Sequence, residues 1–161
     1  MARQFSLPQH CKIVQAFYPQ TTNGSLSSQV VSLKNAVKAW LVLDFTQAVG
    51  HATTPTIVQA TSISAGTNKA GPSVDIWANE DCAATDTLVK KTSAASYGVS
   101  ADVKHKQVVF EIDPARQDVN GGYDCVYCTI ATSSQATNFV SGSWYLQERY
   151  AQAIPPSAIL D

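Results

Sequence analysis

Charge is what this sequence has least of. Asp, Glu, Lys and Arg make up 14% of its 161 residues, against roughly 25% in an average soluble domain. The 11 Lys+Arg and 12 Asp+Glu nearly cancel, leaving a formal charge of −1 and a pI near 6.3. Without clustered excess base, a general affinity for nucleic acid or for an anionic membrane surface is excluded. No run of 18 or more apolar residues occurs, so no transmembrane helix is expected. The opening Met-Ala-Arg-Gln-Phe lacks the apolar stretch of a secretory signal, and none is expected. In place of charge stand 16 serines and 14 threonines. A surface rich in hydroxyls suits a protein largely covered by partners or working outside a crowded cytosol. At 17.2 kDa the chain is long enough for one domain with a real core.

Cysteine is also scarce: Cys11, Cys82, Cys125 and Cys128 are too few for a disulfide scaffold in a chain of this length. Cys125 and Cys128 form one C-x-x-C, but inside Tyr123-Asp-Cys-Val-Tyr-Cys-Thr-Ile130, which reads as a strand. A thioredoxin-type pair sits at a helix N-terminus, where the dipole lowers the thiol pKa. Residues three apart on a strand point to opposite faces, so the two thiols do not readily share a metal or close a ring. The four cysteines are expected to be reduced and structural. His10, His51 and His105 are far apart and none has an i+2 or i+4 histidine partner, so no metal site is expected.

What is present is β-type periodicity. Trp40-Leu-Val-Leu-Asp-Phe45 alternates, with Leu41, Leu43 and Phe45 on one face and Trp40, Val42 and Asp44 on the other. Val74-Asp-Ile-Trp-Ala78 alternates through Val74, Ile76 and Ala78, and Lys104–Asp113 through Val108, Phe110 and Ile112 until Pro114 stops it. Val30-Val-Ser-Leu33, Thr56–Ile63, Tyr123–Ala131 and Val140–Tyr150 are further strand candidates. Ala65–Pro72 and Ser133–Asn138 read as loops, and Asn120-Gly-Gly122 as a turn. Helix is the minority expectation in two places, Asp81–Val89 behind an Asp cap and Ser32–Lys38. Strands at this spacing predict an all-β fold: a single antiparallel β-sandwich or jelly-roll-like domain with extended N- and C-terminal arms. The expected divisions are an N-terminal arm and first strand region at 1–26, the sandwich at 27–152 and a C-terminal arm at 153–161. Residues 1–12 lack periodicity, and the apolar tail with Pro155 and Pro156 cannot be a central strand. Apolar arms of this kind either dock on a partner or lie back on their own sandwich. If they dock, deleting 153–161 should weaken attachment while leaving the melting of the domain intact.

The usual catalytic constellations are missing: there is no G-x-S-x-G elbow, no phosphate loop and no H-E-x-x-H. Ser141-Gly-Ser143 lacks the strand-to-helix context of a catalytic serine, and as a strand start its small residues need no special reason. Glu111 and Asp113 stand i, i+2 as a glycosidase pair might, yet Val109 shares their face and an exposed strand face normally bears such charges. Glu80, Asp81 and Asp86 lack the ordering of a calcium loop. No enzyme activity, cofactor or metal is expected. Trp40, Trp77 and Trp144 all fall in strands, with Tyr145 and Tyr150 near the last. Such rings could form the stacking platform of a carbohydrate-binding module, though strand tryptophans are more often core or interface.

Several short motifs together resemble one group of proteins. They are Thr54-Pro-Thr-Ile57 with Ala60-Thr61, Thr85-Asp-Thr-Leu-Val89, Glu111-Ile-Asp113 and Gly122-Tyr-Asp-Cys-Val126. Most telling are Tyr145-Leu-Gln-Glu-Arg-Tyr-Ala151 and Pro155-Pro-Ser-Ala-Ile159. The chain, over about residues 27–161, resembles small all-β head-associated structural proteins of tailed bacteriophages, the capsid decoration or cement type. The resemblance implies a virion protein made in the host bacterial cytoplasm and carried on the capsid surface. Its implied partners are the major capsid protein and further copies of itself, as a dimer or trimer, with no nucleic acid and no membrane. A neck or tail-completion part is the alternative within the virion. The resemblance brings no catalytic residues. The apolar arms give the candidate partner interface: Phe5 and Leu7 at one end, Ile154, Ile159 and Leu160 at the other.

Overall fold

The computed structural model describes residues 5–150, 154 and 156–160. A single helical turn, α1 (Leu7–His10), leads into eleven strands: β1 (Cys11–Thr21), β2 (Leu26–Ser27), β3 (Val31–Ser32), β4 (Ala36–Thr46), β5 (Pro55–Ala60), β6 (Asn68–Ala70), β7 (Val74–Asn79), β8 (Val89–Ala94), β9 (His105–Ile112), β10 (Cys125–Ile130) and β11 (Phe139–Glu148). They form two antiparallel sheets, one in the order β1-β11-β4-β9-β7-β8, the other β2-β10-β5-β6 with β3 also on β10. The chain is the all-β sandwich its periodicity predicts. No helix among the described residues is long and apolar enough to cross a membrane.

The alternating strands place their side chains as expected. Leu41, Leu43 and Phe45 of β4, Ile76 of β7 and Phe110 and Ile112 of β9 are buried against Val31, Ile57, Val126, Cys128 and Ile130 of the facing sheet. Trp144 is fully buried in this core, and its indole N–H donates to the Gln29 carbonyl at 3.2 Å. Gly142 lies opposite Leu43. A Cβ there would stand 2.6 Å from Leu43 Cδ2 and 2.7 Å from the Val42 carbonyl oxygen, so the smallness of Gly142 is a packing requirement.

Three features depart from the sequence pattern. The first sheet begins at Cys11, well inside the 1–26 segment. Register shifts on either side of Phe17 bury both Ala16 and Phe17, which hides the alternation of β1. β8 is an exposed edge with Lys90 and Lys91 between Val89 and Ala94, a charge pattern that discourages edge pairing. The Asp81–Val89 segment makes only one turn, with Ala84 and Thr85 N–H donating to the Asp81 carbonyl, before β8 starts; Ser32–Lys38 is strand and turn.

The C-terminal segment lies back on its own sandwich over the residues described. Ala158 is buried in the main core, and its carbonyl accepts from Ser32 N at 2.8 Å. The expectation that residues 153–161 can be removed without cost to the domain is therefore corrected, although positions 153, 155 and 161 lie outside the described residues. Residues 1–4 of the N-terminal arm do so as well.

Candidate partner-binding face

Cross-strand pairing fixes which side chains share the outer face of the six-stranded sheet. One row runs Ile13, Tyr145, Trp40, Glu111 and Asp75. The next runs Gln15, Ser143, Val42, Val109, Trp77 and Lys90, and a third Ser141, Asp44, Gln107 and Asn79. An outward sheet face ordinarily alternates to polar residues. Here its centre is Trp40, Val42, Val109, Trp77 and Tyr145.

The segment before β1 extends this face. Ser6 and His10 hold the turn of α1, with the Ser6 carbonyl 2.8 Å from His10 Nδ1, and the Phe5 ring lies 5.0 Å from the His10 ring. Phe5 and Leu7 thereby join Cys11, Trp40, Val42, Val109 and Tyr145 around an open apolar depression of about 420 Å³. Phe5 is 68% exposed and Leu7 41%, although both line it.

Polar groups ring the apolar centre and are mostly tied to one another. Lys38 pairs with Glu111, and Gln107 Nε2 donates to Asp44 at 2.9 Å. Lys90 is 3.1 Å from Asp75 and stands 5.7 Å from the Trp77 ring centroid. The Ser93 hydroxyl and Lys90 hold the Asp75 carboxyl below its ordinary value. Beside Tyr145, Gln15, Asp44, Ser141 and Ser143 line a smaller polar hollow of about 200 Å³. The face thus has an apolar centre inside a rim of mostly paired polar groups.

The structure brings Phe5 and Leu7 together on this face. It does not bring Ile154, Ile159 and Leu160 there: they are exposed on the segment that runs past Ser32 of β3. Sequence reasoning had noted the outward positions of Trp40, Val42 and Val109 singly. The register that joins them to Tyr145 was the missing information. The tryptophans divide, with Trp40 and Trp77 outward and Trp144 in the core.

The remaining candidate chemistry is dispersed. Glu111 is in β9, whereas Asp113 lies past its end and caps a short 3-10 turn, accepting from Ala115 N at 2.9 Å. Asp81 is 2.8 Å from Lys104, and Glu80 accepts from Tyr97 at 2.5 Å and pairs with Lys91 at 3.0 Å. Cys128 faces the core between the sheets while Cys125 packs on the other side of β10 with Val30, Ala60 and Tyr127. Among the described residues no three His, Cys, Asp or Glu are grouped to hold a metal.

No protein-family model matches this chain, and no curated protein matches it in sequence. Among solved structures it is similar to the SPBc2 prophage-derived protein YomS, with 8% identity over 84% of this chain and 91% of that one, at a TM-score of 0.46. The structure of Triatoma virus matches at 11% identity over 100% of this chain and 73% of that one, TM-score 0.40. A structure described as "CBM4 structure and function" matches at 8% identity over 79% and 59%, TM-score 0.32. Each TM-score is below 0.5, so none of these proteins lends this chain a function.

Proposed function

We propose that this protein is a structural component of a bacteriophage virion, a decoration or cement protein that binds the major capsid protein lattice and stabilises the expanded head. The observation that carries the reading is the outer face of the six-stranded sheet, where Trp40, Val42, Val109 and Tyr145 meet Phe5 and Leu7. The resemblance of the sequence to phage head proteins says which kind of partner that face would meet. A cement protein needs a rigid body and contact area, and no reaction centre. The protein acts by binding rather than catalysis, and it self-associates as a dimer or trimer on the capsid surface after synthesis in the bacterial cytoplasm.

The physical argument is one of desolvation. Apolar surface gains about 25 cal/mol per Å² when removed from water. Ions at the rim lose hydration on contact, and here most are already paired within the protein. Ile154, Ile159 and Leu160, exposed on the other side, supply a second contact by which one copy bridges two neighbours.

Co-sedimentation with expanded heads that lack the protein tests the reading, with bound copies counted at saturation. Shell cement predicts saturation at on the order of hundreds of copies, from the symmetry of the shell. Saturation at about a dozen moves the protein to the neck or tail, and absence of binding removes the capsid reading. A carbohydrate-binding module is the reading of another class, favoured by Trp40, Trp77 and Tyr145 on one face beside the hollow of Asp44, Ser141 and Ser143. Glycan binding abolished by Trp40→Ala and Trp77→Ala would establish it.

A further inference from the structure

Asn-Gly occurs twice in this chain, as Asn23-Gly24 between β1 and β2 and as Asn120-Gly121 between β9 and β10. In such a pair the backbone nitrogen of the glycine can approach the asparagine carboxamide, because the glycine has no Cβ to obstruct it. Both asparagines are exposed, so access to water does not distinguish them. The bonding of the glycine nitrogen does. Asn120 lies in a 3-10 turn, Val119–Gly121, capped by Asp118. There Gly121 N–H donates to the Asp118 carboxylate at 3.0 Å and to the Asp118 carbonyl at 3.1 Å. Lys69 fixes the carboxylate in turn. Attack through this nitrogen must break two hydrogen bonds and place an anion beside a carboxylate.

Asn23-Gly24 has no such brace. The backbone of Asn23 is held, its N–H donating to the Thr21 hydroxyl at 3.2 Å and its carbonyl accepting from the Thr132 hydroxyl at 2.9 Å. Gly24 N–H, by contrast, has no acceptor among the described residues. Space around it is open as well, since a Cβ built on Gly24 would meet nothing within 4 Å.

We propose that Asn23 is a modification site, converting spontaneously to aspartate and isoaspartate in the folded protein while Asn120 is protected. Gly24 N gives its proton to solvent base and attacks Asn23 Cγ. The Cγ–Nδ2 bond breaks, the nitrogen takes a proton back from water and leaves as ammonia, and a succinimide ring remains. Water then opens the ring at Cγ, giving aspartate, or at the former main-chain carbonyl, giving isoaspartate. The sum is asparagine and water to acid and ammonia, with nothing oxidised or reduced. Each event adds a negative charge to a chain whose formal charge is −1. In the isoaspartyl product the chain runs through Cγ, and the oxygen that accepted from Thr132 belongs to a free carboxylate. The lengthened backbone then adjoins Thr22, whose buried hydroxyl bonds that of Ser133 at 2.6 Å. The site is independent of the aromatic face and of the virion reading.

The test is incubation of the full chain at mildly alkaline pH, with peptide mapping by mass spectrometry to follow amide-to-acid conversion at residues 23 and 120. Enzymatic methylation of isoaspartate counts that product separately. Asn23 should convert at least about tenfold faster than Asn120, because two hydrogen bonds hold the Gly121 nitrogen. In denaturant the gap should close through faster conversion at Asn120. Asp118→Ala should speed Asn120 and leave Asn23 unchanged; if that variant folds poorly, the native and denatured rates of the parent still decide. Gly24→Ala, at a position with open space and no left-handed φ, should slow Asn23 several-fold. Equal native rates at the two sites, or faster conversion at Asn120, overturn the proposal. So does a rate at Asn23 that rises more than about tenfold on denaturation, since the folded turn would then protect it.

Discussion

Cys128 lies between the two sheets, and burial pushes its thiol pKa up to about 12. Cys125 is buried on the opposite side of the same strand, so each sulfur behaves as a small apolar group rather than as a nucleophile. Cys82 differs because it is exposed on the turn before β8, although partial burial and the nearby Asp44 and Asp81 raise its pKa above the ordinary thiol value. Titration of the native protein with a disulfide reagent should therefore show one accessible thiol, Cys82, reacting faster as pH rises toward its pKa. Cys11 lines the apolar depression but is only 7% exposed, and burial raises its pKa, so it should react far more slowly, and Cys125 and Cys128 only after denaturation. Rapid labelling of either in the folded protein would contradict their placement.

At the scale of elements, the C-terminal segment is a strap on the sandwich as well as a carrier of exposed residues. Ala158 fills part of the core and ties to Ser32 beside β10, so ending the chain before Ile154 should remove both contacts. Thermal unfolding should then show a loss of about 1–3 kcal/mol, the usual range for a lost buried contact and hydrogen bond. Replacing Ile154, Ile159 and Leu160 by serine with the segment kept should leave the melt nearly unchanged, since these side chains are exposed. Equal melting of truncated and complete chains would show that the strap contributes nothing.

The same scale explains what could be read from the sequence. β4, β7 and β9 were legible because one side of each faces the core, which buries every second residue from Ala39 to Phe45, from Val74 to Ala78 and from Lys106 to Ile112. β1 was hidden by its register shifts around Phe17, and β8 by its lysine-bearing edge, where no core imposes a pattern. Phe5 and Leu7 could be singled out as unplaced apolar residues. Their neighbours on the outer sheet face could not, because Tyr145 meets Trp40, and Val42 meets Val109, only through pairing of strands far apart in the chain.

For the whole molecule, acid and base stability follow from a few groups. Asp75, Glu80, Asp81 and Asp118 are held below their ordinary carboxyl values, by Ser93, Tyr97, Lys104 and Lys69 first among their partners. Their contribution to stability is present above the ordinary carboxyl range and is lost as pH falls through the depressed values. Glu148 acts the other way: burial raises its pKa, so protonation between that value and its ordinary 4.5 relieves a cost. With four groups against one, denaturant unfolding should show stability falling below about pH 4. On the alkaline side Tyr97, half-buried and bonded to Glu80, keeps its proton in the folded state, so stability should fall again once the unfolded phenol ionises above its ordinary 10. A midpoint unchanged between pH 7 and pH 3 would contradict this distribution of charge.

On the proposed reading, the outer face of the six-stranded sheet is the surface by which this protein attaches to a capsid shell. The most direct measurement is the affinity of Val42→Lys and Tyr145→Ser for expanded heads, beside a control, Val103→Lys, at an exposed position away from that face. With circular dichroism unchanged in all three, the first two should attach at least about tenfold more weakly, as centre-of-interface changes do, and the control should attach like the parent. Parent-like attachment by Val42→Lys and Tyr145→Ser would contradict the claim.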